Sequence, residues 1–143
     1  MKKGFYCGLV LMICSFILGM GNMGEDDVVN MPEPEQNYSV TLVDQSDVSI
    51  DLEKFSCNGM IYFIGNLGKT EVSVGYDRID SVFFLLHDEN VKAKLHLKNG
   101  KVIELVVDRN KSCYGVSSFG NCRIEMQDIK NIVIHGKILK KVE

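Results

Sequence analysis

The stretch "VKAKLHLKNGKVIELVVD", residues 91–108, decides the fold class. Apolar residues alternate as Val91, Ala93, Leu95 and Leu97, then again beyond Asn99-Gly100 as Ile103, Leu105 and Val107. That period of two marks strands with one buried face. A two-residue Asn99-Gly100 loop would set Ile103 opposite His96 and throw the two apolar rows onto opposite faces. A three-residue loop, Lys98 to Gly100 with a left-handed Gly100 in a bulge, sets Leu97 opposite Lys101 and Leu95 opposite Ile103. Both rows then share one face, so the core selects the second register. It also places Lys94 across from Glu104 on the outer face and points His96 to solvent.

The same pattern recurs on either side. Val40 and Leu42 precede a polar "DQSD" and then Val48, Ile50 and Leu52, matching Leu95, Leu97, Ile103, Leu105 and Val107 around the central turn. "VSVGYDRIDSVFF" (72–84) parallels "IEMQDIKNIVI" (124–134): an alternating run, a polar turn, then apolar residues spaced three and two apart, which predicts one helical turn feeding a strand. "SCNGMIYF" (56–63) and "SCYGVSSF" (112–119) align Ser56, Cys57, Gly59 and Phe63 with Ser112, Cys113, Gly115 and Phe119. The expectation is an all-β fold: a single domain over 38–135, of two related antiparallel halves (38–87 and 91–135), closed as a small barrel or sandwich. Ala93 is the sole alanine, poor material for a helical bundle.

The recurring order of strand, turn, strand, strand, polar turn with Ile-x-x-Ile and final strand resembles the small SH3-like and Sm-like β-barrels, including short bacterial envelope proteins of that type. It is also similar to secreted bacterial domains without an assigned activity. The resemblance implies a fold more than a function.

The opening "MKKGFYCGLVLMICSFILGMGNMG" pairs two lysines with an apolar run from Phe5 to Leu18 and small residues Gly19 and Gly21. That is the layout of a signal peptide over 1–21, and the run is shorter than the roughly 20 residues that span a hydrocarbon core. The expectation is export to a periplasmic or extracellular location, or anchoring by an uncleaved leader helix as the only membrane contact. Residues 22–37, acidic and holding both prolines, read as a flexible linker, and 136–143 as a basic tail.

With Cys7 and Cys14 in the leader, Cys57, Cys113 and Cys122 remain, an odd number. Equivalent positions in two pseudo-symmetric halves can meet near their axis, so Cys57 is expected to pair with Cys113 and Cys122 to stay a free thiol available for a dimer. Cys57–Cys122 and Cys113–Cys122 are the alternatives if the Cα atoms are too far apart. Gly59 and Gly115 are expected at turns or close backbone approaches, and Phe63 and Phe119 in the core.

Sixteen basic and 19 acidic residues, a net charge of −3, argue against a nucleic-acid partner, which requires a basic surface. No G-x-S-x-G, H-E-x-x-H, P-loop, G-x-G-x-x-G or C-x-x-C occurs, and no cofactor is implied. The reading leans away from an enzyme and toward an exported, non-catalytic module that binds a protein or cell-surface polymer. Its candidate contacts are the loop residues Asn66, Lys69, Tyr114, Ser117 and Asn121. The alternative is a small envelope hydrolase or metal-dependent enzyme in which the pseudo-symmetry brings His87 near His135, with carboxylates from the two halves. Asp77, Asp80 and Asp128 are expected to cap the two short helical turns.

Overall fold

The computed structural model describes residues 28–139; the leader, residues 22–27 and residues 140–143 lie outside the described residues. Ten strands follow one another: β1 (Tyr38–Asp44), β2 (Ser49–Cys57), β3 (Tyr62–Leu67), β4 (Thr70–Gly75), β5 (Ile79–His87), β6 (Asn90–Leu97), β7 (Val102–Val107), β8 (Ser112–Ser117), β9 (Gly120–Glu125) and β10 (Ile129–Lys137). A 3₁₀ turn, Tyr76–Arg78 or Met126–Asp128, feeds β5 and β10, as the three-then-two spacing predicts.

The central hairpin has the register chosen by its apolar rows. Leu95 faces Ile103, Ala93 faces Leu105 and Lys94 faces Glu104. The Leu97 amide donates to the Lys101 carbonyl at 2.9 Å, and Gly100 adopts φ +87°. A left-handed residue is what the three-residue loop needs, and glycine takes it without the steric cost of a Cβ. Glu104 forms its ion pair diagonally, with Lys92 at 3.8 Å.

All strand pairings are antiparallel, and the sheet order is β4-β3-β7-β6-β5-β10-β1-β2-β8-β9. Replacing each strand by the one five places along the chain turns this order into its own reverse. The sheet curls into a half-barrel. It is neither a closed barrel nor a two-sheet sandwich, because closure would require β4 to pair with β9, and both remain edges.

One row per strand faces the concave side and forms the core: Val40 and Leu42, Leu52, Phe63, Val82 and Phe84, Ala93 and Leu95, Leu105, Ile132. Tyr76 is its hub, with ring centroids 5.1 Å from Phe63, 5.5 Å from Tyr38 and 5.6 Å from Phe55. Phe119 does not join it. At the tip of the β8–β9 hairpin it is 92% exposed, because the turn needs a residue there and turn tips point away from a concave core.

Cys57 and Cys113 form a disulfide. They are antiparallel partners rather than matching positions: Cys57 ends β2 and Cys113 lies near the start of β8, directly opposite it. The Asn58 amide donates to the Ser112 carbonyl at 2.9 Å, which leaves the cysteines at a non-hydrogen-bonded site, where facing side chains are closest. The pairing is the one expected; adjacency across a seam produces it.

Residues 28–37, within the stretch read as a linker, run along the domain. Pro34 is buried, Asn37 Oδ1 accepts from the Lys54 amide at 2.7 Å, and the Asn121 side-chain amide donates to the Val29 carbonyl at 3.3 Å.

Candidate functional site

The β3–β4 hairpin closes through Gly68 and Lys69, with Gly68 at φ +63° as a tight two-residue turn requires. Leu67 and Thr70 are the closing hydrogen-bonded pair, so Gly65–Val72 and Phe63–Val74 also exchange bonds, and the Tyr76 amide continues the ladder to the Ile61 carbonyl at 3.0 Å. The backbone groups of Glu71 and Ser73, at the alternate positions, therefore point away from β3. No strand lies beyond β4 among the described residues.

This edge runs between two grooves. On one side Tyr38, Met60, Tyr62, Ser73, Gly75 and Lys137 line a cavity of about 510 Å³, with Glu35 and Asp77 at its rim. On the other, Val72, Val74, Leu97 and Ile103 form the apolar floor of a cavity of about 470 Å³ bordered by Arg78 and Lys98. Burial raises the Tyr38 phenol above its usual pKa, and the charge on Asp77 adds to the shift. Burial pushes the Tyr76 phenol much further in the same direction, offset slightly by the Cys57 backbone. The Tyr76 hydroxyl approaches that backbone without hydrogen-bond geometry and, like the Ser56 hydroxyl, has no partner.

The other edge, β9, differs. The Asn121 side chain holds the 28–37 segment, and the exposed Arg123 and Glu125 occupy the positions, equivalent to Ser73 and Gly75 of β4, whose backbone groups face away from β8. A two-residue turn with a Ser117 hydroxyl accepting from the Phe119 amide at 3.1 Å closes the β8–β9 hairpin.

Asn66 and Lys69 thus sit on the β3–β4 hairpin, exposed, while Tyr114, Ser117 and Asn121 sit on the β8–β9 hairpin. Six strands lie between the two hairpins in the strand order. Cys122 is a free, half-buried thiol that donates to Ser117 Oγ at 3.4 Å and Gly120 O at 3.5 Å.

His87 and His135 do not meet. Phe83 lies opposite Asn131 in the antiparallel β5–β10 pair, so the histidines are four residues beyond it in opposite directions, about 26 Å apart at the usual rise per residue. Because β5 and β10 run antiparallel, their C-terminal ends lie at opposite poles. Nor do Asp77, Asp80 and Asp128 cap the 3₁₀ turns: Gly75 and Glu125 hold the N-cap positions and neither turn has a side-chain cap. Among the described residues, no group of three or more His, Cys, Asp or Glu is placed to hold a metal ion.

One polar chain went unforeseen. Thr41 Oγ1 donates to Asp51 Oδ1 at 2.7 Å and lies 2.7 Å from His135 Nε2, across β2, β1 and β10. Facing positions 41 and 51 follow from the β1–β2 hairpin register, but His135 joins only through the β1–β10 pairing of strands from opposite ends of the chain. The Thr41 proton is committed to a carboxylate, and the chain lies on the exposed sheet face, so it ties strands together and lacks an activated nucleophile.

No match was found among curated proteins or among solved structures. The chain belongs to a family of uncharacterised proteins that matches residues 34–137, the ten-stranded domain together with the end of the segment laid against it.

Proposed function

We propose that this domain is an exported, non-catalytic module that binds another protein by taking an extended segment onto the open edge of β4. The observation that carries the reading is that edge itself: unpaired backbone groups at Glu71 and Ser73, with a groove on each side of the strand. An added strand gains main-chain hydrogen bonds from such an edge, and its alternate side chains find pockets on both faces. The disulfide and the absence of a membrane-spanning helix among the described residues are compatible with export.

The scaffold is read as two related five-strand halves that exchange strands. Gly65, Tyr76, Ile79 and Val82 recur fifty positions on as Gly115, Met126, Ile129 and Ile132, and Ile50 and Leu52 recur fifty-three on as Ile103 and Leu105. Val82 lies directly opposite Ile132, so a twofold axis through that pair accounts for both the register and the palindromic strand order. The runs β10-β1-β2-β8-β9 and β5-β6-β7-β3-β4 each then resemble an SH3-like or Sm-like sheet assembled from both halves.

The test is photo-crosslinking in the exporting host, with a benzophenone side chain placed at position 73 or at position 123. Edge binding predicts adducts from 73 only, lost when Glu71→Pro is added. Equal labelling from the two edges, or labelling from 73 that survives Glu71→Pro, sinks the reading.

A further inference from the structure

The charge around the β4 edge narrows the chemistry of the bound segment. Arg78 and Lys98 stand together at the C-terminal end of β4, held by a hydrogen bond from the Lys98 amide to the Arg78 carbonyl at 2.9 Å. Lys101 follows in the adjoining turn. None of the three belongs to an ion pair among the described residues, whereas Lys54, Lys92 and Lys130 all do. Asp77 and Asp80 share this corner, which leaves it with one net positive charge. The opposite end of β4 carries Glu71.

The corresponding corner at β9 has the opposite sign. The Gln45 amide donates to the Asp128 carbonyl at 2.8 Å, the same backbone junction, but its charged neighbours are Asp44, Asp47 and Asp128, with Lys130 paired to Asp47. One fold element therefore presents a cationic corner at one edge and an anionic corner at the other.

Beside the cationic corner, the concave groove offers Val72, Leu97 and Ile103, all half-buried and without an apolar cover. An added strand turns every second side chain toward this floor. In an all-antiparallel sheet the continuing strand is antiparallel to β4, so its N-terminal end lies beside Arg78 and Lys98. We infer that the β4 edge selects an extended segment of another protein that has apolar residues at alternate positions and acidic residues at its N-terminal end. This rests on the edge-binding reading above and adds direction and charge to it.

The test uses the whole mature domain and fluorescence anisotropy with a labelled nine-residue probe: two aspartates followed by alternating valine and threonine. Two comparison probes carry lysines in place of the aspartates, or the aspartates at the C-terminal end. The expected result is at least tenfold tighter binding of the N-terminal aspartate probe than of either comparison. Arg78→Glu combined with Lys98→Glu should reverse the preference between aspartate and lysine. Ser73→Pro and Glu71→Pro each remove one outward amide without touching the bonds to β3, so both should abolish binding, and two variants guard against one that misfolds.

Equal affinity for aspartate and lysine probes in the unmodified protein overturns the charge rule and leaves edge binding standing. Tighter binding of the C-terminal aspartate probe overturns the antiparallel direction. Probe binding unchanged in both proline variants, or no binding by any probe, overturns edge binding as well. A dimer in sedimentation that Ser73→Pro dissolves identifies a second copy as the occupant and overturns the hetero-partner inference.

Discussion

Replacing Cys57 and Cys113 together by serine tests whether the two sides of the molecule depend on a covalent seam. The bridge joins positions 56 residues apart. In the chain-entropy model a loop of that length restricts the unfolded chain by about 14 cal/mol/K, or about 4 kcal/mol at 25 °C. For a domain of this size 1 kcal/mol moves the melting midpoint by roughly 4 °C, so the double variant should melt roughly 15 °C lower. The position of the bond sharpens the expectation. It closes the β2–β8 pairing, where a bulge between Glu53 and Ser56 already interrupts the ladder. At the other seam, Asn66 and Val106 are the one residue pair joining β3 to β7. The assay is calorimetric melting of oxidised protein, reduced protein and the double serine variant, with hydrogen exchange across β8 and β9. Reduced and substituted proteins should agree, and exchange should quicken first in those two strands. A midpoint within about 5 °C of the oxidised protein would refute the reasoning, since the unfolded chain would then gain little freedom from losing the bridge.

Three further outcomes follow from the packing. A Cβ on Gly115 would sit 2.8 Å from the Leu52 Cβ, and one on Gly65 would sit 2.8 Å from the Val106 carbonyl oxygen, so Gly115→Ala and Gly65→Ala should each cost about 1–3 kcal/mol in urea unfolding. Phe63→Ala should cost about 3–5 kcal/mol, whereas Phe119→Ser at the exposed hairpin tip should stay within about 0.5 kcal/mol, again by urea unfolding. The folded Tyr76 phenol titrates well above an unfolded one, so its contribution is fully present below about pH 10 and is lost as the pH rises further, by up to about 1.4 kcal/mol per pH unit. Alkaline unfolding followed by circular dichroism should show that slope, and Tyr76→Phe should flatten it without destabilising the protein at pH 7, because the buried hydroxyl has no partner to lose.

The elements were legible where local chemistry decides them. Gly100 and the apolar rows fix the β6–β7 hairpin, and Ile79-x-x-Val82 marks a 3₁₀ turn entering a strand, so both could be read from residues a few positions apart. Strand order could not. The pairs β3–β7 and β2–β8 cross between distant parts of the chain, and nothing in the alternation of either strand names its partner. That is why the two Ser-Cys stretches looked like repeated text when they are facing text, and why Phe119, aligned with core Phe63, falls on a turn. Asn66 and Lys69 lie on the hairpin that ends in the β4 edge, but a free edge is a property of what does not pair, and it emerges only from the complete strand order. The histidine pair fails for the same reason, since β5 and β10 run antiparallel and separate the ends that the sequence aligns.

On the proposed two-half reading, the differences between the β4 and β9 edges bear most directly on the proposed function. If two equivalent edges had been kept, both would present free backbone groups, and chains could add end to end into an open sheet. The β9 edge instead carries the Val29 contact and the charged Arg123 and Glu125, which discourage an apolar strand, and an anionic corner, which discourages an acidic one. The disulfide is likewise on the β9 side, tying β8 to β2 and fixing that hairpin. The β4 side has neither bridge nor strap, and its edge positions Ser73 and Gly75 are small. The bridge and the strap thus lie toward one edge and the bare strand at the other, which fits the proposed module that takes one strand at a time and ends the sheet there. A variant that moves the protection across, with Ser73→Arg on β4, should lose the probe peptide by anisotropy while keeping its melting midpoint within a few degrees. Retained binding would mean that the outward positions of β4 do not control access, and that the asymmetry between the edges has another cause.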